Sequence, residues 1–318
     1  MTDISISVVV PVYNSQDTLV ELVERIEVVL SELTDRFEVV LVNDGSRDNS
    51  WQAICGLATE HDRVIGLDLM RNYGQHNALL AGIRQAQYDL IVTLDDDLQN
   101  PPEEVPKLIR KLEEGHDVVY GTPEREQHGF WRDLASHVTK LALRSAMGVE
   151  TARDVSAYRA FRTQVREAFA GYGSPFVSID VLLTWGTSRF AAVQVRHASR
   201  QTGASNYTFR KLVTHALNMM TGFSTWPLQV ASLIGFGFTF FGVGVLVYVI
   251  GRYLIEGGSV AGFPFLASVI AILSGAQLFA LGIIGEYLAR MHYRTMGRPA
   301  SVIRQAVGLT DVDRQDQI

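Results

Sequence analysis

The sequence predicts an α/β domain built on a doubly wound, mostly parallel sheet, followed by a membrane part. Three observations predict it. Short apolar runs rich in Val and Ile alternate with helical stretches along the first third of the chain, the pattern of a sheet covered on both faces. The polar residues that interrupt this pattern fall at the carboxyl ends of the apolar runs. Charge is also uneven. The 318 residues are 47% hydrophobic and 19% charged, against ~25% charged in ordinary soluble domains, and residues 227–250 and 263–285 carry no charge at all.

The elements follow in order. ISVVVPVY (6–13) reads as the first strand, and DTLVELVERIEVVLSEL (17–33) as an amphipathic helix with apolar residues three and four apart. FEVVLVN (37–43) is the second strand, followed by a helix over 49–60. RVIGLDLM (63–70) precedes a helix over 74–86, and DLIVTLD (89–95) precedes a helix that opens at Pro101-Pro102 with Glu103-Glu104 in its first turn. Proline and acidic side chains both suit that end of a helix. DVVYG (117–121) is the fifth strand. Residues 122–144 predict a loop and then a helix, with Arg125 either a solvated loop arginine or a contact to phosphate when the loop closes.

Composition excludes several classes. A net charge of −6 lacks the basic footprint of a nucleic-acid binder. One cysteine, Cys55, forms no internal disulfide and suits a reducing compartment. The N-terminus has neither a basic region nor a small-residue cleavage site, so no signal peptide is expected. No GxGxxG is present, so a nucleotide on this sheet is not held by the dinucleotide fingerprint.

Tyr13-Asn14, Asn43-Asp44-Gly45-Ser46, Arg71-Asn72 and Asp95–Asp97 all fall at strand ends, the edge where open α/β sheets bind ligands. Singly, Tyr13 can pack at the edge, Asp44 to Ser46 can form a turn and cap, and Arg71 can pair with a helix carboxylate. Their shared position favours binding. The stretch TLDDDLQNPPEE (93–104) is the most specific. One aspartate would serve as a helix cap, but Asn100 already stands directly before the prolines. Adjacent carboxylates raise each other's pKa unless a cation offsets them. In an extended segment Asp95 and Asp97 point to one side, with Gln99 two residues on, giving an oxygen-rich site for Mg²⁺ or Mn²⁺. Such an ion commonly shares its shell with substrate phosphates, which favours nucleotide-sugar or nucleotide chemistry.

PVYN, VNDGS, RNYGQHNA, DDDLQNPPEE and RDVSAYRAFR, in this order, resemble the inverting GT-A glycosyltransferases. More narrowly, they resemble the polyprenyl-phosphate branch, which includes dolichol-phosphate mannose synthases and bacterial undecaprenyl-phosphate glucosyl- and aminoarabinosyltransferases. The resemblance implies that Pro11, Tyr13, Asp44 and Arg71 meet the nucleotide, with Asp44 accepting an imino N–H of uracil or guanine. It implies that Asp95, Asp97 and Gln99 hold the metal and diphosphate, with Asp96 beside the donor. Asp154 would lie near the acceptor and orient the nucleophile; an ion pair with Arg153, Arg159 or Arg162 is its structural alternative. RHASRQTGASNY (196–207) is similar to the family's R-x-x-G-x-S-K-Y, aligned on Arg200, Gly203, Ser205 and Tyr207. Arg200 and Ser205 suit a phosphate. Three positions depart from the family: Ser15 for Glu, Asn43 for Asp and Asn206 for Lys.

YTFRKLVTHALNMMTGFSTW (207–226) puts Phe209, Leu212, Val213, Ala216, Met220 and Phe223 on one helical face, as in a helix lying in a membrane interface. The two uncharged stretches each meet the ~20 residues needed to cross a bilayer, with Trp226 and Tyr253 as interface anchors. Arg290, Arg294, Arg298 and Arg304 follow the second span, whereas the link between spans has Arg252 and Glu256. The positive-inside rule then places domain and C-terminus in the cytoplasm, at a plasma or inner membrane. The expected divisions are a GT-A domain over 1–206, an interfacial helix over 207–226, a two-helix hairpin over 227–289 and a C-terminal tail over 290–318.

The expected activity is metal-dependent, inverting transfer of a hexose from a nucleotide-sugar donor to a polyprenyl phosphate acceptor in the membrane. Asp97, Asp154 and Arg200 are its catalytic candidates. UDP-glucose is the preferred donor, with UDP-formamidoarabinose and GDP-mannose open, and the resemblance implies a homo-oligomer. A processive polysaccharide synthase would show Q-x-x-R-W and more spans, and neither is present. A non-catalytic membrane protein that binds a nucleotide is the remaining rival.

Overall fold

The structure is a computed structural model that describes residues 4–123, 155–198, 226–256 and 262–309. Its expected strands form where expected: β1 (Ile6–Val12), β2 (Phe37–Asn43), β3 (Val64–Leu69), β4 (Leu90–Thr93) and β5 (Val118–Pro123). Every residue of the first four is buried, because each lies mid-sheet with helices on both sides, and Val and Ile fill both faces. Between them run α1 (Leu19–Ser31), α2 (Ser50–Glu60), α3 (Gln75–Gln85) and α4 (Val105–Glu113). Helix α1 buries Leu19, Leu22, Val23, Ile26 and Leu30, one stripe at helical spacing.

Three further strands and a helix complete the domain: β6 (Arg159–Arg162), α5 (Ile179–Gly186), β7 (Phe190–Val195) and β8 (Ile303–Val307). The eight strands lie in the order β7-β5-β6-β4-β1-β2-β3-β8. β1 pairs in parallel with β2 and β4, and β2 with β3. β6 runs antiparallel between β4 and β5, while β8 closes the far edge antiparallel to β3. Thus Ile303–Val307, which falls in the expected C-terminal tail, is a strand of the same sheet.

Two local expectations are corrected. β4 ends at Thr93, so Asp95–Asp97 are not extended; Asp96 and Asp97 form a turn, followed by Leu98 at φ 59°. The alternation argument for Asp95 and Asp97 therefore does not apply. Asn100 caps no helix. The chain enters through a 3₁₀ turn, Pro102–Glu104, whose cap position is Pro101, and the buried Asn100 amide faces His197, with Oδ1 and Nδ1 3.4 Å apart.

Beyond the sheet domain stand α6 (Trp226–Glu256) and α7 (Phe263–Thr295). Pro227–Ile255 and Ile272–His292 are long and apolar enough to cross a membrane, and neither is buried within the protein. The end of α7 touches the sheet domain, with the Arg290 guanidinium 5.0 Å from the Phe176 ring centre. Because β8 follows α7 and joins the same sheet as β1 to β7, the chain enters and leaves the helix pair from one sheet domain. The predicted interfacial helix and the loop after β5 lie outside the described residues, as do the side chain of Trp226 and the final DVDRQDQI.

Candidate active site at the carboxyl edge of the sheet

The carboxyl ends of β1 to β4 surround a cavity of about 380 Å³. β1 contributes Pro11, Val12 and Tyr13, β2 contributes Asp44, and the turn after β4 contributes Asp95, Asp96 and Asp97. The connection from β3 to α3 closes it with Asn72, Gly74 and Gln75. Six of the predicted site residues, Pro11, Tyr13, Asp44, Asp95, Asp96 and Asp97, therefore share one cavity.

Each wall is fixed by a specific bond. Asp96 Oδ2 accepts the Tyr13 N–H at 2.9 Å and the Ser15 hydroxyl at 2.5 Å, and the Thr18 hydroxyl donates to the Asp96 carbonyl at 2.7 Å. These bonds clamp the turn after β4 to the start of α1. Burial raises the Asp96 pKa and the Asp97 charge adds to this; the Ser15 and Tyr13 bonds oppose it. Gln75 Nε2 donates to Asp95 Oδ1 at 2.7 Å, and Asp97 Oδ1 accepts the Gln99 N–H at 3.1 Å. Asp44, 3% exposed, accepts the Tyr73 N–H at 2.6 Å and the Gly74 N–H at 2.8 Å, one on each oxygen. Burial raises its pKa against the pull of those two N–H groups and Arg71. Gly45 permits the close approach of the same loop: a Cβ there would stand 2.6 Å from the Asn72 nitrogen.

Four carboxylates around one cavity repel a diphosphate unless a cation lies between them. Among the described residues no three His, Cys, Asp or Glu side chains converge to hold a metal alone. Asp95 and Asp97, both half-buried at the rim, instead fit a hard divalent ion that completes its shell with ligand phosphates.

Other predicted residues stand apart. Arg71 and Gln99 do not line the cavity. The Arg71 guanidinium lies 4.2 Å from the Tyr73 ring centre, and the Gln99 carbonyl accepts the Ala198 N–H. Asp154, Arg125, Arg200 and Ser205 lie outside the described residues. Of the arginines offered as partners for Asp154, Arg159 pairs with Asp180 and Arg162 with Asp117, while Arg153 lies outside the described residues. Asn43 donates from Nδ2 to Asp68 Oδ1 at 2.7 Å. Gly74 and Gln75 were missed as cavity residues, although the RNYGQHNA stretch contains both.

A larger cavity, about 780 Å³, opens at the opposite edge. Its polar groups serve the fold: Ser5 donates to Asp89, and Arg166 donates to carbonyls at the end of α3.

This sheet order, with a carboxylate-lined cavity at its carboxyl edge, defines a GT-A glycosyltransferase. A profile of glycosyl transferase family 2 matches residues 7–169, and the chain belongs to that family. It is 34% identical over 316 residues to the undecaprenyl-phosphate 4-deoxy-4-formamido-L-arabinose transferase of Yersinia pestis (strain Pestoides F), covering 98% of this chain and 97% of that one. The protein of the same name from Pseudomonas aeruginosa (strain LESB58) is 37% identical over 309 residues, covering 96% and 91%. Among solved structures, glucosyl-3-phosphoglycerate synthase from Mycobacterium tuberculosis, in complex with Mn²⁺, UDP and phosphoglyceric acid, superposes with a TM-score of 0.51 at 19% identity. It covers 69% of this chain and 76% of that one, a likeness of fold.

Proposed function

We propose that the protein transfers 4-deoxy-4-formamido-L-arabinose from a nucleoside diphosphate to undecaprenyl phosphate at the cytoplasmic face of a membrane. The observation that carries this is the end-to-end similarity to proteins of that name, at 34% and 37% identity, spanning sheet domain and hairpin alike. Those names favour formamidoarabinose over UDP-glucose, the donor preferred on sequence alone.

The cavity supports a mechanism of positioning and charge balance. Pro11 and Tyr13 border the nucleotide, and the loop held by Asp44 forms its other wall. Each Asp44 oxygen keeps a second lone pair, suited to an imino N–H of the base. Asp95 and Asp97 are the residues that would hold Mg²⁺ or Mn²⁺, which when bound neutralises the departing diphosphate. The acceptor phosphate, with a second pKa of about 6, is largely anionic near neutral pH and needs no strong base. One of its oxygens bonds to the anomeric carbon as the bond to the donor's phosphate oxygen breaks. The electron pair leaves with the nucleoside diphosphate, and configuration inverts. Asp154, Arg125, Arg200 and Ser205 are assigned to the phosphates and acceptor on the family resemblance.

The amphipathic stretch 207–226 would lie in the interface and deliver the lipid phosphate, and assembly of copies through the two spans fits the same resemblance. The test incubates purified full-length protein with Mn²⁺, undecaprenyl phosphate and labelled nucleotide-sugars, including the formamidoarabinose, glucose and mannose donors. Label from the formamidoarabinose donor should enter the organic phase. Label from another donor replaces the sugar assignment, and nucleotide binding without transfer from any donor favours the non-catalytic rival.

A further inference from the structure

The strand that follows the membrane hairpin reaches the wall of the donor cavity. Eight residues after α7 ends at Thr295, β8 begins beside β3. Their register pairs Gly66 with Val307, Leu67 with Ala306, Asp68 with Gln305 and Leu69 with Ile303. Arg304 is the extra residue at the shift between Asp68 and Leu69, so it bulges out of the ladder. Its guanidinium turns back over β3. Nη2 donates to the Met70 carbonyl at 2.8 Å, and Nη1 lies 3.4 Å from Asp68 Oδ2. The Met70 N–H in turn donates to the Val302 carbonyl at 2.9 Å. Both backbone groups of Met70 are thus held by the post-membrane segment.

Met70 is the residue from which the Arg71–Gly74 loop departs. The far end of that loop is fixed by Asp44, through the N–H groups of Tyr73 and Gly74. Asp68 also reaches the Asp44 side, because its Oδ1 accepts Asn43 Nδ2, and Asn43 Oδ1 accepts the Ser46 N–H at 3.2 Å. Asp68 is 4% exposed, and a carboxylate so enclosed needs a cation or hydrogen-bond donors. Among the described residues Arg304 is the cation that pairs with it. The strand itself is built into the domain. Ala300 is buried in the core around β3, and the missing side chain at Gly66 makes room for Val307, whose Cγ2 would lie 2.7 Å from a Cβ there.

We propose that Arg304 is a positioning residue for the donor: it braces the root of the Arg71–Gly74 loop and so ties the membrane exit to the nucleotide wall of the cavity. The inference rests on the reading of this cavity as the nucleotide-sugar site. A brace on one wall of the donor site acts first on donor binding, and the test below separates this from an effect on the lipid acceptor.

The experiment compares full-length wild type, Arg304→Ala and Arg304→Lys in detergent micelles. It reads amide hydrogen exchange over residues 70–74, together with kcat and the KM values for nucleotide-sugar and undecaprenyl phosphate. Arg304→Ala should speed exchange in this loop and raise the donor KM, each about tenfold, the scale of one charge-assisted hydrogen bond. The lipid KM and kcat should stay within about twofold. Arg304→Lys keeps the charge but not the two-point reach, and should fall between; it carries the comparison if the alanine variant does not fold. Unchanged loop exchange in a folded variant overturns the brace, and so do kcat and both KM values shifting together. A wild type that transfers no sugar defeats the functional reading, and the exchange measurement still decides the brace.

Discussion

The Ser15 hydroxyl donates to Asp96 Oδ2 at 2.5 Å, on the same oxygen that holds the Tyr13 N–H. The central aspartate of the acidic triplet therefore fastens the turn after β4 to the end of β1. Ser15→Ala removes a hydrogen bond to a carboxylate, an interaction worth about 1.5–3 kcal/mol when buried. This one is partly exposed, so a loss near about 1 kcal/mol is expected. Tyr13 should shift with it and raise the donor KM. Denaturant midpoints and donor titrations check both effects; an unchanged midpoint would show that the short contact adds nothing.

Asp95 and Asp97 carry a different expectation, because both are half-buried at the rim. Asparagine there keeps the size and removes the charge. Each substitution should lower metal-dependent transfer by about 100-fold or more, the scale seen when one transition-state contact is lost. Stability should move by no more than about 1 kcal/mol, because the asparagine Oδ1 can still accept the bond from Gln75 or from the Gln99 N–H. Chelation by EDTA should abolish transfer in the wild type, and added Mn²⁺ should restore it there but not in Asp97→Asn. An Asp97→Asn protein with full transfer would remove this residue from the proposed chemistry.

Acid should weaken donor binding before it unfolds the domain. Burial lifts the Asp44 pKa above its ordinary 3.8. Protonation occupies a lone pair suited to the base and weakens the two loop bonds, because a neutral carboxyl accepts less strongly than a carboxylate. For stability the sign is opposite. A pKa raised by folding means the native state binds the proton more tightly, so this group's contribution is most favourable below its unfolded pKa and declines as pH rises through the raised value. Donor affinity measured against pH should therefore show an acid limb with its midpoint above 3.8. Asp44→Asn should bind more weakly and lack that limb. A limb unchanged in this variant would assign the titration to another group.

The legible part of the fold was the part buried on both faces. The runs that became β1 to β4 consist largely of Val, Ile and Leu because helices cover them, and their bounds follow from composition. β8 (IRQAV) escaped notice because its first three residues are exposed at an edge and it follows the membrane spans. β6 was half legible, since RAFR carries an arginine at each end, one of them buried against Asp180. The carboxylates of the cavity were readable as a cluster at one sheet edge. Their geometry was not, because Thr93 ends the strand and the next residues turn. Nor does any side-chain pattern announce that Asp44 would be met by two backbone N–H groups.

The pair Arg159 and Asp180 gives a prediction about stability alone. Arg159 is 2% and Asp180 5% exposed, with Nη1 and Oδ1 2.5 Å apart. The buried Tyr120 hydroxyl donates to the same oxygen at 3.2 Å, and burial holds that phenol well above its usual pKa. The pair joins β6, the antiparallel strand between β4 and β5, to α5. Removing one partner strands a charge in the core at a loss of about 3–5 kcal/mol, whereas apolar replacement of both can be close to neutral. Arg159→Met and Asp180→Leu should each lower the unfolding midpoint sharply, and the double variant should recover much of the loss. A thermodynamic cycle over the three variants measures this coupling. Strictly additive losses would mean that each side chain is held by its other neighbours, and that the ion pair does not bind β6 to α5.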